Sequence, residues 1–199
     1  MVARGETWLL AKMALQGHSD YDIWYLLQFA YSLELQESFL NLARELLHVH
    51  AGKFCHWAFA MENIGIMPEA VLDHLDNNRE ALKPKITNAI MALAKKVSED
   101  ECNKCQNFVG TYIRIITLAG ILPGTDDMAK KSLVEIINAA ETTGKLAFHC
   151  ESHRHYKQIQ YEQREFLLGK LKECADQEVK MCLICINRGS CDRHIVDKD

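Results

Sequence analysis

The sequence predicts an all-α protein, a multi-helix bundle with a long C-terminal helix and a small Cys/His zinc-binding knot at its C-terminal end. Three observations predict it. Apolar residues recur at helical spacing along most of the chain, and no alternating pattern of useful length marks a strand. The three prolines, Pro68, Pro84 and Pro123, stand where a helix would begin or has just ended. With 199 residues, 48% of them hydrophobic, the chain is long enough to fill one core.

Taken in order, Asp20 to Ser32 places Tyr21, Trp24, Leu27 and Tyr31 at helical spacing, and Gln36 to His50 does the same with Phe39, Ala43, Leu46 and Leu47. Gly52 and Gly65 punctuate a short aromatic segment from Phe54 to Asn63, after which Met67-Pro68-Glu69 reads as a helix entry. Lys83-Pro84-Lys85 reads as the next entry, followed by the stripe Ile86, Ile90, Leu93 and Val97. Ser98 and Glu101 have capping-box spacing, so a new helix is expected there, carrying Phe108, Tyr112, Ile115 and Ile116 to about Leu122 and stopped by Pro123-Gly124. Asp126 to Thr143 supplies one more helix around Leu133, Ile136 and Ile137. A final long helix is expected from about Lys145 to Val179, with Phe148, Ile159, Phe166 and Leu171 as core contacts.

No linker demands two domains. The chemistry nevertheless divides near residue 98, residues 1–97 supplying core and residues 98–199 core plus metal, within one integrated domain. A tetratricopeptide-like stack fails because neither its period nor its characteristic small and aromatic positions recur.

The bulk numbers exclude several classes. Apolar runs such as Ile23 to Leu27 and Ile113 to Leu122 are interrupted or far shorter than the roughly 20 residues a membrane span needs. The first residues reach Glu6 without an apolar run or a small-residue cleavage site, so secretion is not expected. A formal charge of −4 argues against a surface that is basic throughout. The eight cysteines fall in pairs with histidines close by, which is metal spacing rather than disulfide spacing and fits the cytoplasm or nucleus.

The sharpest chemical signal is Cys182, Cys185, Cys191 and His194, four donors within thirteen residues and with Gly189 between them. Four protein donors close a tetrahedral zinc, which makes such a site structural rather than catalytic. A second set is Cys102 and Cys105 with Cys150 and His153, two i, i+3 pairs that can meet where two helices pack, clamping them through a second zinc. His149 and His155 are rival ligands there, and Cys102 and Cys105 can instead pair with Cys182 and Cys185. Iron-sulfur ligation lacks a three-cysteine ferredoxin run, and a thioredoxin-like use of Cys102 and Cys105 lacks its preceding strand. His48, His50, Cys55 and His56 read as surface or helix-end histidines beside a buried thiol, and Cys174 reads as a packed small hydrophobe.

No nucleophile-base pair, Gly-rich phosphate loop or His-Glu-x-x-His helix is present, and Glu151 lacks the motif a zinc deaminase requires. An enzyme would have to use an open metal site among His149 to His155. Lys83, Lys85, Lys95 and Lys96 on one helix, and Arg154, Lys157 and Arg164 with Tyr156 and Tyr161 on another, are candidates for nucleic-acid contact, weighed against an ordinary solvated face. The expected function is a non-enzymatic, zinc-stabilised regulatory or adaptor protein acting through a protein partner. The alternative is an RNA- or DNA-binding regulatory protein, such as a small viral factor, using those Lys/Arg/Tyr faces and the zinc knot.

Overall fold

A computed structural model describes residues 2–13, 18–98, 103–143, 156–176, 179 and 181–188. Among the described residues every regular element is helical. They pack as two units, residues 1–80 with 178–199, and residues 81–177. Residue 98 falls inside the second.

The first unit opens with α1 (Val2–Met13), α2 (Asp20–Ser32) and α3 (Gln36–Val49). Ser19 starts α2 through a capping box in which its hydroxyl accepts from the Asp22 amide while the Asp22 carboxylate accepts from the Ser19 amide. Gly5 lets α1 approach closely, since a Cβ there would lie 2.6 Å from the Leu33 side chain. The core is built from Leu9 of α1, Trp24 and Leu27 of α2, and Phe39, Leu42 and Leu46 of α3, each sealed from solvent. Each such side chain contributes roughly 1.5–3 kcal/mol by leaving water. The α3 stripe Phe39, Ala43, Leu46 and Leu47 is buried as its spacing predicts. On α2 the expected Trp24 and Leu27 are buried, joined by Ile23, Leu26 and Ala30, while Tyr21 is exposed.

A single 3-10 turn (Phe54–His56) and the short α4 (Ala58–Glu62) follow, leading to α5 (Ala70–Ser98). The helix entry expected at Pro84 does not occur, because α5 runs unbroken through that residue. Pro84 removes one amide from the ladder, and a helix of 29 residues has many other bonds to carry it. The hydroxyl of Ser98, expected to cap a new helix, instead donates to the Lys95 carbonyl at 2.7 Å and closes α5. Glu101 lies outside the described residues.

In the second unit α6 (Asn103–Leu118) ends earlier than Pro123 suggests. Gly120 takes φ +66°, its amide donates to the Thr117 carbonyl at 3.0 Å, and the Ile121 amide donates to Ile116 at 2.9 Å. That pair of bonds is a Schellman ending. The one helix expected from Asp126 to Thr143 is two, α7 (Asp126–Ala129) and α8 (Leu133–Thr143). Ser132 restarts the chain through a capping box, its amide donating to Glu135 Oε2 at 2.7 Å and the Glu135 amide donating to Ser132 Oγ at 3.2 Å. Helix α9 (Tyr156–Ala175) falls within the long helix expected from about Lys145 to Val179 and ends before Val179, which is not helical; residues 145–155 lie outside the described residues. Ile90, Tyr112, Ile116, Ile121 and Leu171 centre this unit's core, and the Tyr112 hydroxyl donates to the Ile90 carbonyl at 2.8 Å, tying α6 to α5. Cys174 is buried there, and burial pushes its thiol pKa up, as suits a packing residue.

The last described segment belongs to the first unit. Val179, Met181 and Leu183 enter its core, and the Gln36 side chain both donates to the Met181 carbonyl at 3.2 Å and accepts from the Leu183 amide at 2.8 Å. Helix α10 (Leu183–Arg188) then lays Asn187 against the hydroxyl of Tyr31. No helix among the described residues is long and apolar enough to cross a membrane.

Candidate protein-binding surface

The polar centre of the first unit is His50. It caps the end of α3, where its amide donates to the Leu46 carbonyl at 2.9 Å and its backbone turns extended. The ring is buried, so its polar edge needs a partner. Asp20, at the start of α2, supplies it, with Nδ1 of His50 lying 3.0 Å from Asp20 Oδ2. Burial holds the pKa of His50 below its ordinary value, outweighing the pull of Asp20 in the other direction. The ring is therefore neutral at pH 7, and its Nδ1–H donates to the carboxylate. Of the two settings expected for this histidine, surface or helix end, His50 takes the helix end, and its ring is buried rather than at the surface.

The loop after His50 is tied to α5 by two side chains. Both oxygens of Asp76 accept backbone amides, from Phe54 at 2.8 Å and from Cys55 at 2.9 Å. Burial would raise the Asp76 pKa, yet these amides outweigh it and hold the carboxyl below its ordinary value. Arg79, itself buried, donates from Nη1 to the His50 carbonyl at 2.7 Å. The Cys55 thiol also bonds to Asp76, which raises its pKa. A protonated thiol held on a carboxylate is a poor nucleophile, so the histidine and cysteine here brace the loop rather than form a catalytic pair.

What this bracing presents is aromatic. Trp57 stacks on the His50 ring with centroids 4.2 Å apart, and its outer side meets Phe59 at 5.7 Å. Phe59 in turn receives Tyr21 edge-on at 4.5 Å and Tyr25 edge-on at 5.6 Å, two residues one turn apart on α2. Behind them the Trp24 indole and the Gln28 amide both donate to the Asn63 carbonyl, at 3.0 and 2.5 Å, fixing the end of α4 against α2. Tyr21, Tyr25 and Met61 remain 49%, 52% and 55% exposed, while Trp57 and Phe59 are half-buried. The platform is rigid from beneath and open above. Single exposed apolar residues are ordinary, but neighbouring Tyr, Trp and Phe are types enriched at protein interfaces. Sequence reading missed the platform because it assigned Tyr21 to the core. The signal available was that Tyr21 and Tyr25, one turn apart, fall on a different face from Ile23 and Leu27.

Of the expected zinc ligands, only Cys182 and Cys185 have described side chains. Cys182 precedes α10 and Cys185 sits in its first turn; both are half-buried. The backbone of Cys105 lies on α6. Cys102, His149, Cys150, His153, His155, Cys191 and His194 lie outside the described residues. Among the described residues no group of three or more His, Cys, Asp or Glu side chains gathers to hold a metal ion.

Of the basic candidates, Lys85, Lys95 and Lys96 are exposed on α5 and Lys83 is half-buried. At 100° per residue Lys85, Lys95 and Lys96 fall within a 100° arc of the helix, with Lys83 turned away from them. Lys96 Nζ lies 4.5 Å above the Phe166 ring. Lys157 and Arg164 lie on α9, where the backbone alone is described, and Arg154 lies outside the described residues.

Comparison with protein-family models finds no match to this chain, and comparisons with curated proteins and with solved structures find none either.

Proposed function

We propose that this chain is a non-enzymatic regulatory or adaptor protein that works by binding a protein partner, with structural zinc at its C-terminal Cys/His set. The observation that carries the proposal is the aromatic platform of Tyr21, Tyr25, Trp57 and Phe59, half open to solvent and fixed from below by the Asp20–His50 bond. Large rigid aromatics lose little side-chain entropy on binding and bury much area, which is why a few of them dominate interface energetics.

For zinc, the support is the spacing of Cys182, Cys185, Cys191 and His194, together with a start of α10 that keeps the first two donors within one turn. Cys102, Cys105, Cys150 and His153 are proposed as the second set, on sequence spacing alone. A cytoplasmic or nuclear setting would keep these thiols reduced and able to bind metal. The nucleic-acid reading draws less support, since Lys83 is half-buried away from the other three lysines of α5 and Lys96 is engaged on the Phe166 ring.

The test is site-specific photo-crosslinking in cells of the natural source, with the photoreactive residue at position 25 and, as control, at Leu118, which is 78% exposed in the other unit. A discrete protein adduct formed from position 25 and absent from position 118 is the expected result. Equal or no adducts from the two positions would overturn the proposal.

A further inference from the structure

The charge around the platform points to the chemistry of what binds it. Residues 1–80 carry eleven acidic and five basic side chains, a net charge of −6, and residues 178–199 of the same unit add four of each. The remaining stretch, residues 81–177, has twelve acidic and fourteen basic side chains, so the negative charge of the chain is concentrated on the unit that bears the platform.

Two of that unit's cations are engaged away from the platform. Arg79 is buried on the His50 carbonyl, and Lys12 lies 5.7 Å from the Trp8 ring. Lys53 is the exposed cation on the platform's own loop. Two anions neighbour the ring-bearing residues along their helices. Asp22 follows Tyr21 and lies one turn before Tyr25, and its bonds to Ser19 hold its carboxyl below the ordinary range, so it is fully ionised at neutral pH. Glu62, exposed, lies one turn after Phe59 and next to Met61.

We infer that the platform docks a cationic amphipathic segment of a partner protein, one that sets apolar side chains on Tyr21, Tyr25 and Phe59 and Lys or Arg near Asp22 and Glu62. The aromatic surface supplies the contact area, and the surrounding negative field steers a basic segment to it while rejecting an acidic one. Lys and Arg also have a favourable site over the exposed Tyr faces. This inference rests on the proposed partner-binding role and specifies its ligand.

The experiment uses the full chain and two fluorescein-labelled probes of about 18 residues, one Lys/Leu amphipathic peptide and one of the same pattern with Glu in place of Lys. Fluorescence anisotropy is expected to give saturable binding of the Lys/Leu peptide that weakens with added salt, and at least tenfold weaker binding of the Glu/Leu peptide. Tyr25→Ala and Glu62→Lys, both at exposed positions, should each weaken the Lys/Leu peptide about fivefold or more, and Leu118→Ala should leave it unchanged. Equal binding of the two peptides, or wild-type affinity in both Tyr25→Ala and Glu62→Lys, would overturn the inference. So would sedimentation showing that the platform is covered by a second copy of the chain, with Tyr25→Ala releasing monomer. A partner crosslinked at position 25 through an acidic or neutral segment would overturn this inference and leave the partner-binding role standing; absence of any adduct there would remove that role itself.

Discussion

His50 Nδ1 lies 3.0 Å from Asp20 Oδ2, joining residues thirty apart in sequence and fixing the end of α3 to the start of α2. Trp57 and Phe54 both lie against the His50 ring, with centroids 4.2 and 4.8 Å away, so one imidazole supports the loop that carries the aromatic platform. His50→Ala should destabilise the chain by about 2–4 kcal/mol, through the cavity left beside two rings and the stranded Asp20 carboxylate. Asp20→Asn, which keeps an acceptor, should cost about 1 kcal/mol. Urea unfolding followed by tryptophan fluorescence measures both, and equal small losses would show that the ring is not a support.

The same pair predicts a pH dependence. Burial lowers the His50 pKa from 6.5, so the unfolded chain binds the proton more readily than the folded one. The stability this gives is complete above the unfolded value and is lost as pH falls through 6.5 toward the folded value. Asp76, lowered from 3.8, gives stability that disappears only below that carboxylate range. Denaturant midpoints should therefore drop between pH 7 and pH 5, with a slope of at most about 1.4 kcal/mol per pH unit from one histidine. His50→Gln should flatten that slope; an unchanged slope would assign it to other groups.

Glu34 offers a third prediction. It sits at φ +53° just past α2, its amide donating to Tyr31 at 3.0 Å and the next amide, of Leu35, donating to Ala30 at 3.0 Å. These are the bonds of a Schellman ending, whose left-handed residue is usually Gly. Glu34→Gly should raise stability by about 0.5–1 kcal/mol despite the looser unfolded chain. The same ending at Gly120 should respond oppositely, Gly120→Ala costing about 1 kcal/mol because φ is +66° and Lys131 Cε stands 3.2 Å from the new Cβ. Thermal melts of the two variants check the pair.

If zinc holds the C-terminal Cys/His set, metal removal should release that segment first. Chelation should lower the melting temperature, and Cys182→Ser should lower it more than Cys174→Ser, which alters only a packed thiol in the second unit. Metal content by plasma mass spectrometry on protein purified without chelator provides the direct check. A metal-free chain with an unchanged melt would remove zinc from the account.

Helix type and the α3 core stripe were legible because periodicity is a local property: Phe39, Ala43, Leu46 and Leu47 are apolar at the spacing that one buried face requires. Boundaries depended on which of several local signals won. Gly120 ended α6 before Pro123 had any part in it, and Ser132 with Glu135 restarted a helix at a pattern that was present in the sequence but read through. Pro84 failed as a boundary because the cost of one lost amide bond is carried by the rest of α5. The role of His50 was not legible, since it depends on Asp20 and Arg79, which reach it from two other helices. The platform was hidden for the same reason. Aromatic residues at helical spacing look alike in sequence whether they face the core or the solvent, and on α2 the packing of Ile23 and Leu27 decided the matter.

The most direct test of partner binding at the platform is hydrogen–deuterium exchange on the full chain, alone and in complex with the protein crosslinked through position 25. Slower exchange confined to residues 20–27 and 56–62, with residues 113–122 unchanged, is the result this account predicts. Protection appearing in 81–98, 156–176 or 181–188 while 20–27 and 56–62 exchange as in the free chain would contradict it.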